Sequence, residues 1–492
     1  MLADVIDSAL NSPGRGGATA VADHGRALGY AELREQIART AKQLAETLGD
    51  RPDGAGRARV AIAAGNSVSY VVAFGACLAA GAAPFLVDAA TGDDEFAEID
   101  DDCTFDLVLR DRTDAGVPLE GADGLSALRL EGRQRRYPLH PDTEVCRFTS
   151  GTTGKPNCIE FSGAAVAGAA RNWVAGTGLT AQDRILCYAG LSNGLAFNTS
   201  LLAAFLAGAA LHLSPGLPTA GRVSRDLRAL TPTRLVGFPA LYDALTGRAD
   251  LGEVCRGLRQ AISSGAPLDE AAAKRFHAET GIAISDYYGL AEAGPLTFAP
   301  EPGPGRGLGP ALPEVSIEAG EPDEPRLVRV RSASMATRYL NAPGLLESRI
   351  GADGRYDTGD RGYLDEAGVL FLTGRTARVV NVGGRKVDPA EVARVLRALD
   401  GVGDAAVFAV TDRHGREALG AVVASRTLDA PAVRALAADR LSAHKVPGLL
   451  RVVEALPGGA VGKPSIARLR ELVLAPPPPA DRPEETNDHD HA

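Results

Sequence analysis

The segment Phe148-Thr-Ser-Gly-Thr-Thr-Gly-Lys-Pro156 decides how the rest of this sequence is interpreted. Five of its nine residues are Thr, Ser or Lys, and two are Gly. Glycine lets a backbone approach a polyanion closely, while hydroxyls, amide groups and a lysine donate to phosphate oxygens. The P-loop pattern GxxxxGK[ST] does not fit, because only two residues separate Gly151 from Gly154, and Pro156 follows Lys155. The segment therefore predicts a phosphate-binding loop of another kind.

Strand and helix patterns alternate along the chain as far as about residue 300. Apolar residues recur at helical spacing over Tyr30–Leu48. Arg59–Ala63 has the pattern of a buried strand, and a helix of small residues is predicted around Val71–Ala80. This alternation predicts an α/β fold with a largely parallel sheet. Further on, residues 326–331 and 368–373 alternate and predict half-exposed antiparallel strands.

A second, smaller domain is predicted to begin near Arg375. Asp388-Pro-Ala-Glu391 has the features of a helix start, since Asp caps, Pro takes the first turn and Glu follows three residues after the cap. We therefore predict a large N-terminal domain of stacked α/β subdomains over 1–374 and a small, mobile α+β domain over 375–475. Residues 476–492 are rich in Pro and charge, and are predicted to be disordered.

Composition narrows the classes of function. The chain has 492 residues, with 52 Lys and Arg against 62 Asp and Glu. Its net charge of -10, with no dense basic block, argues against nucleic acid as a partner. Six scattered cysteines without a CxxC pattern predict reduced thiols, and no basic n-region precedes an apolar run at the start, so we expect a cytoplasmic protein. The 37 uncharged residues of Ile185–Gly221 contain Pro and several Gly, which favours a buried α/β segment over a membrane span.

Six further motifs follow the loop in order, and with it they resemble the adenylate-forming superfamily. That family comprises acyl- and aryl-CoA synthetases, luciferases and the adenylation domains of nonribosomal peptide synthetases. Its members activate a carboxylic acid with Mg·ATP as an acyl-adenylate and then pass the acyl group to a thiol. The motifs that carry the resemblance are Ser263-Ser-Gly-Ala-Pro-Leu268, Asp286-Tyr-Tyr-Gly-Leu-Ala-Glu292, Tyr356-Asp-Thr-Gly-Asp360, Gly374-Arg375, Asn381-Val-Gly-Gly-Arg-Lys-Val-Asp-Pro-Ala-Glu391 and Pro457-Gly-Gly-Ala-Val-Gly-Lys463.

The resemblance assigns roles to individual residues. Tyr288 would stack on adenine, Asp286 would accept from its amino group, and Asp360 would accept from the ribose hydroxyls. Glu292 would ligate Mg2+, and Lys463 would bridge the acid and the α-phosphate during catalysis. The full nucleotide site would comprise Thr149, Ser150, Gly151, Thr152, Thr153, Gly154, Lys155, Gly265, Ala266, Asp286, Tyr287, Tyr288, Gly289, Asp360, Arg375 and Lys386.

The resemblance also implies an acid pocket and a thiol tunnel. Gly383 and Gly384 would let pantetheine pass close to the backbone, so the acceptor is CoA or the phosphopantetheine of a separate carrier protein. No acidic residue occurs between Asp183 and Arg225, which disfavours an α-amino acid and favours an aryl or aliphatic acid. The acid pocket would be lined by Asn193, Gly194, Phe238, Gly265 and Leu290, although Asn193 is equally suited to cap a helix.

The sequence departs from the family pattern at several positions. Ala291 replaces a Thr, Asn157 and Cys158 replace the usual Lys-Gly, and Ala377 stands at the hinge. No His or aromatic gate residue is found near Ser192 before Phe197. The leading hypothesis is an acid–thiol ligase. A stand-alone amino-acid adenylation protein, a weakly active or non-catalytic ATP-binding member and a membrane-associated fatty-acid activator remain as alternatives.

Overall fold

The computed structural model describes residues 2–12, 14–49, 56–111, 116–130, 137–149, 156–214, 218–265, 268–299, 307–375, 380–382, 385–387, 389–411, 417–441, 443–457 and 466–475. The chain divides into two units, residues 1–376 and 377–492.

Helices and strands of the larger unit alternate as the sequence predicts. Its helices are α1 (Leu2–Leu10), α2 (Tyr30–Leu48), α3 (Val68–Ala79), α4 (Asp93–Cys103), α5 (Gly163–Thr177), α6 (Gly194–Ala196), α7 (Leu202–Ala207), α8 (Ala220–Leu230), α9 (Pro239–Leu245), α10 (Leu251–Val254) and α11 (Glu270–Thr280). Its strands are β1 (Thr19–Ala22), β2 (Ala27–Gly29), β3 (Arg59–Ala63), β4 (Ala83–Val87), β5 (Leu107–Asp111), β6 (Val117–Pro118), β7 (Leu125–Arg129), β8 (Thr143–Thr149), β9 (Asn157–Ser162), β10 (Arg184–Cys187), β11 (Ala210–Leu213), β12 (Arg234–Gly237), β13 (Gln260–Ser263), β14 (Ile284–Asp286), β15 (Gly289–Leu290), β16 (Gly294–Pro295), β17 (Val315–Glu318), β18 (Arg326–Ser332), β19 (Arg338–Tyr339), β20 (Tyr356–Leu364) and β21 (Leu370–Arg375).

Among the described residues, this unit contains two large sheets, a four-stranded antiparallel sheet and the antiparallel pair β15-β16. The first has the order β14-β13-β12-β10-β11-β1-β2 and is parallel except for its edge strand β2. The second has the order β19-β9-β8-β4-β3-β5-β7-β6, with parallel strands at its centre and antiparallel strands toward both edges. Strands β17-β18-β20-β21 form the antiparallel sheet. One apolar core unites the two large sheets with α1, α3, α5 and α7.

Local sequence signals explain several of these elements. The helix predicted over 30–48 is confirmed as α2, with Leu33, Ile37 and Leu44 buried on one face. Its first turn is closed by Glu32, whose carboxylate accepts from the N–H of Gly29 at 2.8 Å. The chain leaves the helix at Gly49, where φ is +67°. The strand predicted at 59–63 is confirmed as β3.

The uncharged stretch after Ile185 folds as a buried strand–helix–strand segment. Strand β10 leads into α6, a π-helical turn over Phe197–Leu201 and α7, and the chain returns as β11. All five side chains of the π-helical turn are buried. Across the described ranges, the helices lack the combination of length and apolarity that a bilayer crossing requires.

The smaller unit has its own core. It contains β22 (Val380–Val382), β23 (Arg385–Val387), α12 (Pro389–Arg397), β24 (Asp404–Thr411), β25 (Glu417–Ala424), α13 (Ala430–Ala438), β26 (Leu449–Val453) and α14 (Ile466–Leu474). Helices α12 and α13 bury Val392, Leu396 and Val433 in the apolar cluster that includes β25. The helix predicted after Asp388 is therefore confirmed as α12, an amphipathic helix with Pro389 in its first turn.

Candidate active site

The carboxyl ends of β12, β13 and β14 bring three of the predicted motifs together. Backbone register sets Gly237 beside Ser263 and Ser263 beside Asp286. The residues that follow these strands therefore lie along one edge of a parallel sheet, where α/β proteins bind ligands. Gly265 has φ of +86°, and a Cβ there would lie 3.2 Å from the ring of Phe238. A side chain at position 265 would be strained and crowded, so glycine keeps this edge flat.

Asp286 ends β14 with a largely buried carboxylate. Burial raises the pKa of Asp286 to about 7, although the backbone N–H of Leu268 donates to the carboxylate and acts in the opposite direction. The group therefore titrates near neutral pH. In its ionised form it is a strong acceptor at the sheet edge, which suits the predicted contact with an amino group.

Tyr288 and Asp360 come from separate motifs and meet directly. The hydroxyl of Tyr288 donates to Oδ2 of Asp360, and both side chains are buried. The N–H of Asp360 donates to Oγ1 of Thr358 at 3.0 Å, and that hydroxyl donates to the carbonyl of Val328 at 2.7 Å. The antiparallel pairing of β20 with β21 sets the backbone of Arg375 opposite Asp360. Tyr288, predicted to stack on adenine, and Asp360, predicted to bind the ribose, are thus joined by a hydrogen bond.

Glu292 is held by a residue that sequence reasoning missed. The hydroxyl of Tyr339, in β19, donates to Oε1 of Glu292. Burial, together with the nearby Glu292 carboxylate, raises the pKa of Tyr339, so this hydroxyl keeps its proton at neutral pH. The backbone carbonyl of Glu292 accepts from the N–H of Ala336 at 2.7 Å. These contacts fix both the backbone and the side chain of Glu292.

The fit of Glu292 to Mg2+ follows from its chemistry. Protein sites often hold Mg2+ through one or two carboxylates, with phosphate and water completing the octahedron. The described residues contain no group of three or more His, Cys, Asp or Glu suited to a metal ion. A single oriented carboxylate therefore suits an Mg2+ ion that binds together with a nucleotide better than one held by protein ligands alone.

Three of the five residues predicted for the acid pocket, Asn193, Gly194 and Leu290, are linked to the start of α6, directly or through Arg147. Oδ1 of Asn193 accepts from the N–H of Leu195 at 2.9 Å, so Asn193 caps this helix, the alternative role expected for it. A Cβ on Gly194 would lie 3.0 Å from one terminal nitrogen of Arg147. Leu290 lies in β15, and the carbonyl of the following Ala291 accepts from Arg147 at 3.2 Å.

Tyr287 and Gly289, which flank Tyr288, were also predicted for the nucleotide site, and both are closely packed. The ring of Tyr287 is buried 4.9 Å from that of Trp173, centroid to centroid, and its carbonyl accepts from Ser264. Gly289 lies in β15, where a Cβ would come within 3.1 Å of the carbonyl oxygen of Gly294. Both residues support the conformation of the Tyr288 segment.

Arg147 is the second residue that the motifs did not reveal. It lies in β8, two positions before the end of the strand, and its guanidinium is buried. A charged residue inside the otherwise apolar run of Val145–Phe148 was the available signal.

Several predicted site residues lie outside the described residues. They are Ser150, Gly151, Thr152, Thr153, Gly154, Lys155, Ala266, Gly383, Gly384 and Lys463. Thr149 is described as the last residue of β8, and the backbones of Arg375 and Lys386 lie in β21 and β23.

Comparison with known proteins places these motifs in one family. A model of the AMP-binding enzyme family matches residues 10–339. The chain is 29% identical to an anthranilate–CoA ligase of Pseudomonas aeruginosa, over 91% of this chain and 92% of that protein. It is 31% identical to a 3-[(3aS,4S,7aS)-7a-methyl-1,5-dioxo-octahydro-1H-inden-4-yl]propanoyl:CoA ligase of Mycobacterium tuberculosis, over 71% of this chain and 70% of that protein.

The fold has a similar counterpart among solved structures. The ATP-bound structure of MatB from Rhodopseudomonas palustris aligns with a TM-score of 0.77 at 23% identity, covering 96% of this chain and 99% of that one. The predicted fold class and the predicted class of acid–thiol ligase are confirmed by these relatives. The chain therefore belongs to the AMP-binding enzyme family.

Proposed function

We propose that this chain activates an aryl or aliphatic carboxylic acid with ATP and transfers the acyl group to the thiol of CoA. The observation that carries the proposal is that the motifs beginning at Ser263, Asp286 and Tyr356 come together in the larger unit. Tyr288 hydrogen-bonds to Asp360, while Glu292, four residues after Tyr288, is oriented by Tyr339. Asp286 lies two residues before Tyr288, at the same sheet edge as Gly265.

Each of these groups has a separate task in the proposed reaction. Asp286 accepts from the adenine amino group, and Asp360 accepts from the ribose hydroxyls. Tyr288 fixes the carboxylate of Asp360 and offers a ring to the base. Glu292 would hold Mg2+, which neutralises phosphate charge when bound.

The smaller domain supplies the remaining group. We propose that Lys463 places its ammonium between the acid and the α-phosphate, where it stabilises the charge that develops as the acyl-phosphate bond forms. Gly383 and Gly384 would border the path of the pantetheine arm. These roles rest on the family motifs in residues 375–475.

The acceptor and the compartment follow from the relatives and from the thiols. Both sequence relatives are named as CoA ligases, which supports CoA as the acceptor. A separate carrier protein is the second candidate, since its phosphopantetheine presents the same thiol. All six cysteines are buried free thiols, which supports a reducing compartment such as the cytoplasm.

ATP–pyrophosphate exchange tests the first half-reaction. Purified protein, Mg2+ and labelled pyrophosphate are assayed with benzoates, short aliphatic acids, fatty acids and amino acids. We expect exchange with simple acids, and CoA should then release the acyl thioester. Exchange with amino acids alone would support the nonribosomal adenylation alternative. ATP binding without exchange for any acid would support the non-catalytic alternative.

A further inference from the structure

Arg147 is a buried cation at the proposed acid pocket. Its side chain lies between the rings of Phe161 and Phe197, with the guanidinium carbon 5.2 and 5.3 Å from their centroids. One terminal nitrogen donates to the carbonyl of Ala291 at 3.2 Å. Its Nε–H is buried and has no acceptor in the described part of the chain. A guanidinium has five N–H donors in a planar fork, and here the Nε–H is left for another acceptor.

Arg147 takes part in none of the ion pairs among the described residues, although the Glu292 carboxylate acts on it from a greater distance. Burial lowers the pKa of Arg147 to about 10, although Tyr287, Glu292 and Tyr70 act in the opposite direction. The side chain therefore keeps its charge at neutral pH. A buried charge without a directly paired counter-ion is costly, which favours an anion that joins it in the working enzyme.

Tyr70 is a second buried polar group on which the charge of Arg147 acts. It lies in α3, its ring is buried, and its hydroxyl has no hydrogen-bond partner among the described residues. Burial raises the pKa of Tyr70, and the charge of Arg147 acts in the opposite direction. Buried hydroxyls normally find a partner. The Nε–H of Arg147 and the hydroxyl of Tyr70 are therefore two buried groups to which a bound acceptor would supply the missing hydrogen bonds.

The position of this pair relates it to the acid. Gly194 begins α6, and the absence of a side chain there leaves the guanidinium its space, since a Cβ would lie 3.0 Å from it. Ala291, which Arg147 contacts, directly follows Leu290. Gly194 and Leu290 are both among the residues that the sequence predicts for the acid pocket. The guanidinium therefore lies beside two residues of the predicted acid pocket.

We propose that the substrate is a dicarboxylic acid whose second carboxylate binds Arg147 and the hydroxyl of Tyr70. The inference rests on the proposed function and names its substrate class. A carboxylate matches the planar fork of a guanidinium and pairs directly with its charge, which a neutral substituent cannot do. The same charge repels an α-ammonium group, in agreement with the absence of acidic residues between Asp183 and Arg225.

The test compares acids that differ only in the charge of the second group. Terephthalate is compared with 4-carbamoylbenzoate, and adipate with its monoamide, in ATP–pyrophosphate exchange. In the unaltered enzyme we expect kcat/KM to favour at least one diacid over its monoamide by about a hundredfold, as for a buried charge pair. Arg147→Met should abolish that preference, and Arg147→Lys should retain part of it.

Arg110→Met is the matched control. Its guanidinium also stacks on a phenylalanine, 4.1 Å from the ring centroid of Phe96, but it lies in β5 outside the pocket. This variant should keep the preference of the unaltered enzyme. If Arg147→Met keeps it too, or if the monoamides are preferred throughout, the dicarboxylate inference is wrong while the ligase function stands.

Thermal unfolding separates the two proposals if exchange is absent. Each diacid is added without ATP to the unaltered protein and to Arg147→Met. A diacid should raise the Tm of the unaltered protein and leave that of Arg147→Met unchanged. Without acid, Arg147→Met should have the same Tm as the unaltered protein or a higher one. Stabilisation without exchange would contradict the ligase function alone. If the diacids cause no stabilisation and no exchange is measured, both proposals are wrong.

Discussion

Replacing Asp286 by Asn should stabilise the protein, and by an amount that depends on pH. Asp286 has an ordinary pKa of 3.8, which burial raises to about 7 in the fold. Below pH 4 the carboxyl is protonated in both states. Between pH 4 and 7 the unfolded chain loses the proton first, so stability falls as pH rises. Above pH 7 the penalty is constant.

The magnitude follows from this displacement of the pKa. One pKa unit corresponds to about 1.4 kcal/mol, so a carboxyl that moves from 3.8 to about 7 destabilises the fold by about 4 kcal/mol above pH 7. About 2.5 kcal/mol of this accumulates between pH 5 and 8. Asn cannot ionise, and its side-chain oxygen can still accept from the N–H of Leu268. The variant therefore escapes the penalty while it keeps this contact.

Denaturant unfolding of the larger unit measures the effect. The free energy of unfolding is determined at several pH values from 5 to 8 for the unaltered protein, Asp286→Asn and the exposed control Asp323→Asn. The advantage of Asp286→Asn should widen as pH rises, whereas the control should run parallel to the unaltered protein. Parallel curves for Asp286→Asn would refute the raised pKa. If Asp286 accepts from adenine, ATP should also bind the unaltered protein more tightly at pH 8 than at pH 6.

The remaining predictions concern the other site residues. Tyr288→Phe removes the hydroxyl that holds Asp360, so KM for ATP should rise several-fold, and Asp360→Asn should raise it further; an unchanged KM in both would place the ribose elsewhere. Tyr339→Phe should raise the Mg2+ concentration needed for half-maximal exchange, and Glu292→Gln should raise it more; equal Mg2+ curves would remove the metal role. Lys463→Ala should abolish exchange while ATP still binds, in contrast to a surface control, Lys274→Ala; normal exchange would end its catalytic assignment.

Sequence patterns were sufficient for elements with a periodic signal. The helix at Tyr30–Leu48 and the strand at Arg59–Ala63 carry their burial pattern within one short segment, and both were predicted with the bounds that the structure shows. Ordered motifs likewise proposed roles for residues such as Asp360, for which the structure shows a hydrogen bond from Tyr288. In each case the information is local, or it is contained in a motif that can be recognised without its partners.

Pairings between distant residues could not be predicted in this way. Tyr339 is 47 residues from Glu292, and Arg147 is 144 residues from Ala291. No periodicity links such positions, because their contact depends on how β8, β9 and β19 assemble. Asn193 is a different case, because the sequence around it allowed both a ligand contact and a helix cap. The hydrogen bond from the N–H of Leu195 to its Oδ1 shows the cap.

The π-helical turn at Phe197–Leu201 bears on how this pocket can change in evolution. Such a turn holds one residue more than an α-helical turn, so it behaves as a one-residue insertion absorbed within a helix. Deleting one residue there would restore regular winding and rotate α6 by about 100° against α7. Gly194 would then move away from Arg147, and another side chain would face the guanidinium. A single codon deletion in this segment could therefore alter acid preference in one step, without any substitution in the nucleotide site.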